Sequence, residues 1–130
     1  MRMKTSFVNE HVEIHIDNGI IFINHLTENL SLEAAKEIVK QRLKLCYGEK
    51  FPLVLDLRKL KSIDKASREY LSRPECIEKL CAGAFIVESL FQEITGTLYL
   101  NLHKPPIPAK LFRKEKEAIE WIKSLPCSPY

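Results

Sequence analysis

Glycine is scarce, with four in 130 residues, and the chain has no Walker loop, GxGxxG, GxSxG or HExxH. Loops that cradle phosphate through their backbone need closely spaced glycines, so nucleotide sites of that kind are not expected. Charge of one sign is lacking too. The 20 basic and 17 acidic residues leave a formal charge of +3, far below the surplus that marks a dedicated nucleic-acid binder, and no nucleic-acid partner is expected. The longest apolar stretches run about six residues against the roughly 20 needed to cross a bilayer, which excludes a spanning helix. Met1-Arg2-Met3-Lys4 has the charge of an export signal, but Thr5-Ser6-Phe7-Val8-Asn9-Glu10 cannot form its apolar core, so a cytoplasmic location is expected. Cys46, Cys76, Cys81 and Cys127 are then expected to stay reduced, as packing residues with Cys127 loose in the tail.

What is present suits one compact α/β domain over 1–130, with 1–10 and 126–130 as tails: 45% hydrophobic and 28% charged residues are ordinary globular values. Two apolar runs, Phe51-Pro52-Leu53-Val54-Leu55-Asp56-Leu57 and Ala82-Gly83-Ala84-Phe85-Ile86-Val87, flank a charged segment of helical composition. Such runs have no polar face and need cover on both sides, as in a parallel sheet between helices. Upstream, Val12-Glu13-Ile14-His15-Ile16 alternates and Ile20-Ile21-Phe22-Ile23 is apolar, with Asn18-Gly19 between them suited to a type I′ turn. That register sets Ile16 opposite Ile21 and Ile14 opposite Ile23, with the first strand at a sheet edge.

Ser31 is an N-cap for a helix over 32–47 whose inward stripe is Leu32, Ala35, Ile38, Val39, Leu43 and Cys46, with Gly48 at its end. Strand 53–57 follows, and Asp64 caps a second helix that Pro74 interrupts. After strand 82–87, Ser89-Leu90-Phe91-Gln92 fits a capping box. The next residues are ambiguous: Thr97-Leu98-Tyr99-Leu100-Asn101-Leu102 alternates like a strand, whereas Phe91, Ile94, Leu98 and Leu102 fit one helical face. A parallel strand at 109–112 requires a crossover, and crossovers are helical, so a helix is expected over 90–102. A last helix over 114–125 turns Ala118, Trp121, Ile122 and Leu125 inward.

Few residues suggest chemistry, and no catalytic residue or cofactor is expected. His11 and His15 on a strand lie about 13 Å apart and cannot chelate one ion. Cys76 and Cys81 have no second Cys or His pair at a zinc offset, so no metal is expected. A Cys-His nucleophile pair would need His25 or His103 to reach a cysteine, and nothing local supports it. Ligands of open α/β sheets sit beyond the C-terminal strand ends. That rim would gather Asn24, His25, Arg58, Lys59, Glu88, Ser89, Arg113 and Lys114. An anion site from Arg58, Ser89 and Arg113 is one reading; solvated loop charges with a structural cap at Ser89 is the other. Pro105-Pro106-Ile107-Pro108 matches PxxP but suits a stiff spacer before a strand better than an SH3 ligand. Phe91, Tyr99, Leu100 and Leu102 make the third helix apolar on more than one side, which fits core packing or a second contact surface.

The stretches Leu53-Val54-Leu55-Asp56-Leu57-Arg58, Lys61-Ser62-Ile63-Asp64-Lys65-Ala66-Ser67, Ala82-Gly83-Ala84-Phe85-Ile86-Val87-Glu88-Ser89 and Lys104-Pro105-Pro106-Ile107-Pro108, leading to Glu117-Ala118-Ile119-Glu120-Trp121, carry a resemblance over about 12–125. The chain resembles the STAS (SpoIIAA-like) fold of sporulation anti-sigma-factor antagonists and sulfate-transporter regulatory domains, in an uncharacterised bacterial branch. The resemblance implies a β-α superhelix of about five strands, mostly parallel and sequential with the first antiparallel at the edge, and about four helices. The antagonists carry a phosphorylated serine after an aspartate at the second helix. Here Asp64 matches the aspartate, but Lys65 stands at the phosphoacceptor and Ser67 replaces a glycine, which puts a phosphoswitch in doubt. The expectation is then a non-enzymatic interaction module that binds a protein partner or itself through exposed helix faces and the rim near Asp64, with Asp64, Ser67 and Tyr99 as its candidate contact residues. The alternative is a small-ligand carrier or sensor with an apolar pocket by the third helix and an acyl or anionic head group at Arg58, Ser89 and Arg113.

Overall fold

The computed structural model describes residues 5–127; the export-signal reading of Met1-Arg2-Met3-Lys4 lies outside them. In chain order the elements are β1 (Ser6–Val8), β2 (Val12–Asp17), β3 (Ile20–His25), β4 (Asn29–Leu30), α1 (Leu32–Cys46), β5 (Phe51–Asp56), β6 (Ser62–Ile63), α2 (Lys65–Leu71), a 3-10 turn (Pro74–Ile77), β7 (Leu80–Ile86), α3 (Leu90–His103), β8 (Ala109–Phe112) and α4 (Glu115–Ser124). The main sheet has the order β1-β2-β3-β5-β7-β8, antiparallel through β1, β2 and β3 and parallel from β3 to β8.

The expected hairpin is present. Asn18 and Gly19 both take positive φ, at 50° and 77°, and Ile14 and Ile16 face Ile23 and Ile21. The strand count is higher than five, because β1 and the short parallel pair β4–β6 carry no periodicity long enough to read. β1 takes the edge, so β2 lies inside rather than at the border. Pro52 lacks the N–H a ladder needs, and the β5–β7 register shifts there.

One sheet face is covered by α1 and α2, with Val12, Ile14, Ile21, Ile23, Leu53 and Ile38 in its core. The other is covered by α4 through Ala118 and Ile122, against Phe22, Val54, Ala84 and Ile86. Cross-strand partners share a face, and the row Ile23, Leu55, Phe85, Leu111 places Leu111 on the α1 side. Gly96 of α3 lies over Leu111, where an added Cβ would come within 3.1 Å. Three helices therefore share one face, with α3 outermost on β8.

Two further expectations are corrected. The inner face of α1 carries Arg42 and Leu45, while Leu32 and Leu43 are half-buried. Cys81 and Cys127 form a disulfide instead of standing as free thiols, so Cys127 is tied to the start of β7 rather than loose in a tail. Leu125 and Cys127 pack against the α4 core, and this contact, distant in sequence, brings the cysteines together. Cys46 and Cys76 are free and buried, as expected of packing residues.

Candidate functional site

The C-terminal ends of β3 and β5 open into a shallow depression of about 410 Å³ lined by Asn24, His25, Leu26, Asp56, Arg58, Lys59 and Glu88. Two of its charges are paired with each other. Arg58 donates from Nε and Nη2 to the two Asp56 carboxylate oxygens at 3.0 and 2.7 Å. Burial pushes the Asp56 carboxyl up, but these bonds more than offset it and hold the group below its usual range. Arg113 donates to Glu93 at 3.0 Å and to the Glu88 carbonyl. Ser89 Oγ accepts the Gln92 N–H at 3.1 Å, which caps α3. The three residues of the anion-site reading thus share the rim, each with an internal partner that a ligand would have to displace. His25, behind the depression, is 6% exposed with Nδ1 unpartnered. Burial drives its pKa down to about 4 against the opposing pull of Asp56, so the ring is neutral at pH 7.

The residues of the partner-surface reading do not form one exposed surface. Asp64 is exposed and caps α2, accepting the Ser67 N–H at 2.7 Å, which lowers its pKa. Ser67 is fully buried and donates to the Leu30 carbonyl at 3.3 Å, so its hydroxyl faces the core. Tyr99 is half-buried on the inner side of α3, its hydroxyl 3.4 Å from that of Ser72. Lys65 projects into solvent beside Glu69.

The surface that does form is the outer face of α3. Gln92 accepts the Glu88 N–H at 2.6 Å and donates to the Leu57 and Leu60 carbonyls at 3.2 and 3.0 Å. Ser89 fulfils its half of the capping box, whereas Gln92 serves the residue before the cap and ties the helix to the loop after β5. With Gln92, Gly96 and Tyr99 turned inward, Leu90, Phe91, Ile94, Leu98 and Leu102 are left 52–81% exposed. A helix whose polar and small side packs inward while its apolar stripe faces water is inverted relative to an ordinary surface helix. The stripe was legible as a periodic face; that it points outward was not, because periodicity does not say which side meets the sheet. Gly96 was the available signal, since glycine in a helix marks a close approach.

Among the described residues, no helix is long and apolar enough to cross a membrane, and no group of three or more His, Cys, Asp or Glu is placed to hold a metal ion. A model of the family described as Domain of unknown function (DUF7793) matches residues 14–126. No curated protein matches the chain. Among solved structures, an uncharacterized protein of the DUF3478 family with a SpoIIAA-like fold, from Shewanella loihica PV-4, is similar with a TM-score of 0.66 at 16% identity. The match covers 89% of this chain and 98% of that one. At that identity the likeness shows the fold: mixed α/β and SpoIIAA-like.

Proposed function

We propose that this chain, which belongs to the DUF7793 family, acts as a non-catalytic interaction module whose working surface is the outer face of α3. The observation that carries the reading is the stripe Leu90, Phe91, Ile94, Leu98 and Leu102, 52–81% exposed on one helix. Isolated exposed apolar residues need no explanation, but five contiguous ones mark a surface that is covered in use.

The carrier alternative fits less well on two counts. An acyl pocket would enclose the apolar side chains of α3, and these stand outside; an anionic head group would meet guanidiniums already neutralised by Asp56 and Glu93. The phosphoswitch of STAS antagonists is not part of the proposal, because Lys65 occupies the acceptor position.

A photoreactive amino acid placed at Leu98 in cells tests the reading. Protein adducts from position 98, with none from a control at Lys123 on α4, are the expected result. Equal or no labelling at both positions overturns it.

A further inference from the structure

From the arrangement of the stripe we infer that α3 docks on α3 of a second copy of this chain, antiparallel about a two-fold axis passing at the level of Gly96. This rests on the interaction-module reading and names its partner. Leu90, Ile94, Leu98 and Leu102 are spaced by four, forming one ridge of the helix surface. The row is also symmetric: Leu90 and Leu102 lie six residues either side of Gly96, and Ile94 and Leu98 lie two either side. A two-fold axis there sets Ile94 against Leu98 of the second copy and Leu90 against its Leu102, so the ridge is complementary to itself, as an isologous interface requires. Gly96 faces the other way, onto Leu111, which leaves the outer face at that level to Ile94 and Leu98.

Charge and area agree. The one charged side chain of α3 before its cap is Glu93, which is paired with Arg113. Thr95, Thr97 and Asn101, exposed beside the stripe, are uncharged, so two copies approach without like-charge repulsion. An interfacial membrane helix would carry Lys or Arg on its polar side, and α3 has neither. At roughly 120 Å² for a whole large apolar side chain, the five exposures amount to about 400 Å² of apolar surface per copy. Pairing two such faces and their polar margins buries about 1,000–1,200 Å², the low end of what a specific dimer needs, which points to micromolar association.

Sedimentation velocity on the full chain, through the micromolar range, tests this. Wild type is expected to shift from monomer to dimer as concentration rises. Ile94→Lys alone and Leu98→Glu alone are each expected to weaken association about tenfold or more. Mixing the two variants is expected to restore a heterodimer, because the axis places the introduced lysine of one chain against the introduced glutamate of the other and keeps one Leu98–Ile94 contact. Circular dichroism confirms that each variant is folded, and both positions face solvent. The inference is overturned if wild type stays monomeric throughout, if dimers form that ignore both substitutions, or if the mixture gives no heterodimer. It is equally overturned if wild type stays monomeric and instead floats with anionic vesicles. Adducts at Leu98 to a different protein, with a monomeric wild type, would sink the self-pairing and leave the module reading standing; no adducts at all would sink both.

Discussion

Among the described residues three buried side chains are polar or charged, His25, Arg42 and Ser67, and Arg42 and Ser67 are held by backbone carbonyls. Arg42 bridges out of α1 to the carbonyls of Glu78 at 2.9 Å and Cys76 at 3.0 Å, so one guanidinium fastens the segment between α2 and β7. Burial lowers its pKa, partly offset by the neighbouring Cys46 and Cys76. Arg42→Ala removes both charge-assisted bonds and leaves a cavity, and urea unfolding is expected to show a loss of about 3 kcal/mol; a loss below about 1 kcal/mol would contradict the bridge. His25 gives a pH signature. Its folded value of about 4 lies below its ordinary 6.5, so as pH falls the unfolded chain takes up the proton first. Stability from this residue is therefore full above about 6.5, declines between 6.5 and about 4, and levels off below. That gap corresponds to about 3 kcal/mol, and His25→Asn, which cannot take up that proton, should flatten the decline. Identical pH profiles for the two proteins would rule it out. At this scale the sequence offered few cues: Arg42 falls on the expected buried side of α1 by spacing, yet an arginine reads as surface until distant carbonyls are known to await it.

α3 shows how far an element can be read locally. The alternation from Thr97 to Leu102 is that of a strand, and the crossover to β8 overrides it, because parallel neighbours need a chain-reversing link that buries its own backbone bonds. The helix was thus inferable from architecture, while its orientation depended on Gly96, Gln92 and Leu111 meeting in space. Gln92 anchors both the start of α3 and the loop after β5. Gln92→Ala is expected to cost about 1–2 kcal/mol, its bonds to the Leu57 and Leu60 carbonyls being partly buried. Amide hydrogen exchange should accelerate in 57–61 as well as in the first turn of α3; a change confined to α3 would argue against the tether. Leu98→Glu, by contrast, is expected to leave monomer stability within about 0.5 kcal/mol of wild type, since its side chain already faces water.

Over the whole molecule, β7 sits between β5 and β8, and the disulfide joins Cys81 near its start to Cys127 beyond α4, closing a separation of 46 residues. Such a link restricts the unfolded chain far more than the folded one. Cys127→Ser, or reduction, is expected to lower stability by about 2–4 kcal/mol, read as a drop in Tm on adding a thiol reductant; an unchanged Tm would show the cysteines unlinked in solution. Cysteine count could not reveal this pair. Four cysteines permit three pairings, and proximity arises from helix α4 packing across β7 and β5, not from anything near either cysteine in the chain.

By itself the sequence determined the winding: the apolar runs at 51–57 and 82–87 demand cover on both faces, Asn18-Gly19 forces the hairpin, Ser31, Asp64 and Ser89 start the helices of one face, and the apolar stripe of the last helix marks the cover of the other. These are local preferences, set by backbone sterics, capping bonds and the period of apolar side chains. Tertiary structure alone decided which side of α3 meets water, that Arg113 is neutralised by Glu93, that Ser67 is enclosed, and that Cys81 reaches Cys127. Each of those outcomes depends on groups brought together from separate elements, and a one-dimensional pattern records the period of a face but not what lies opposite it.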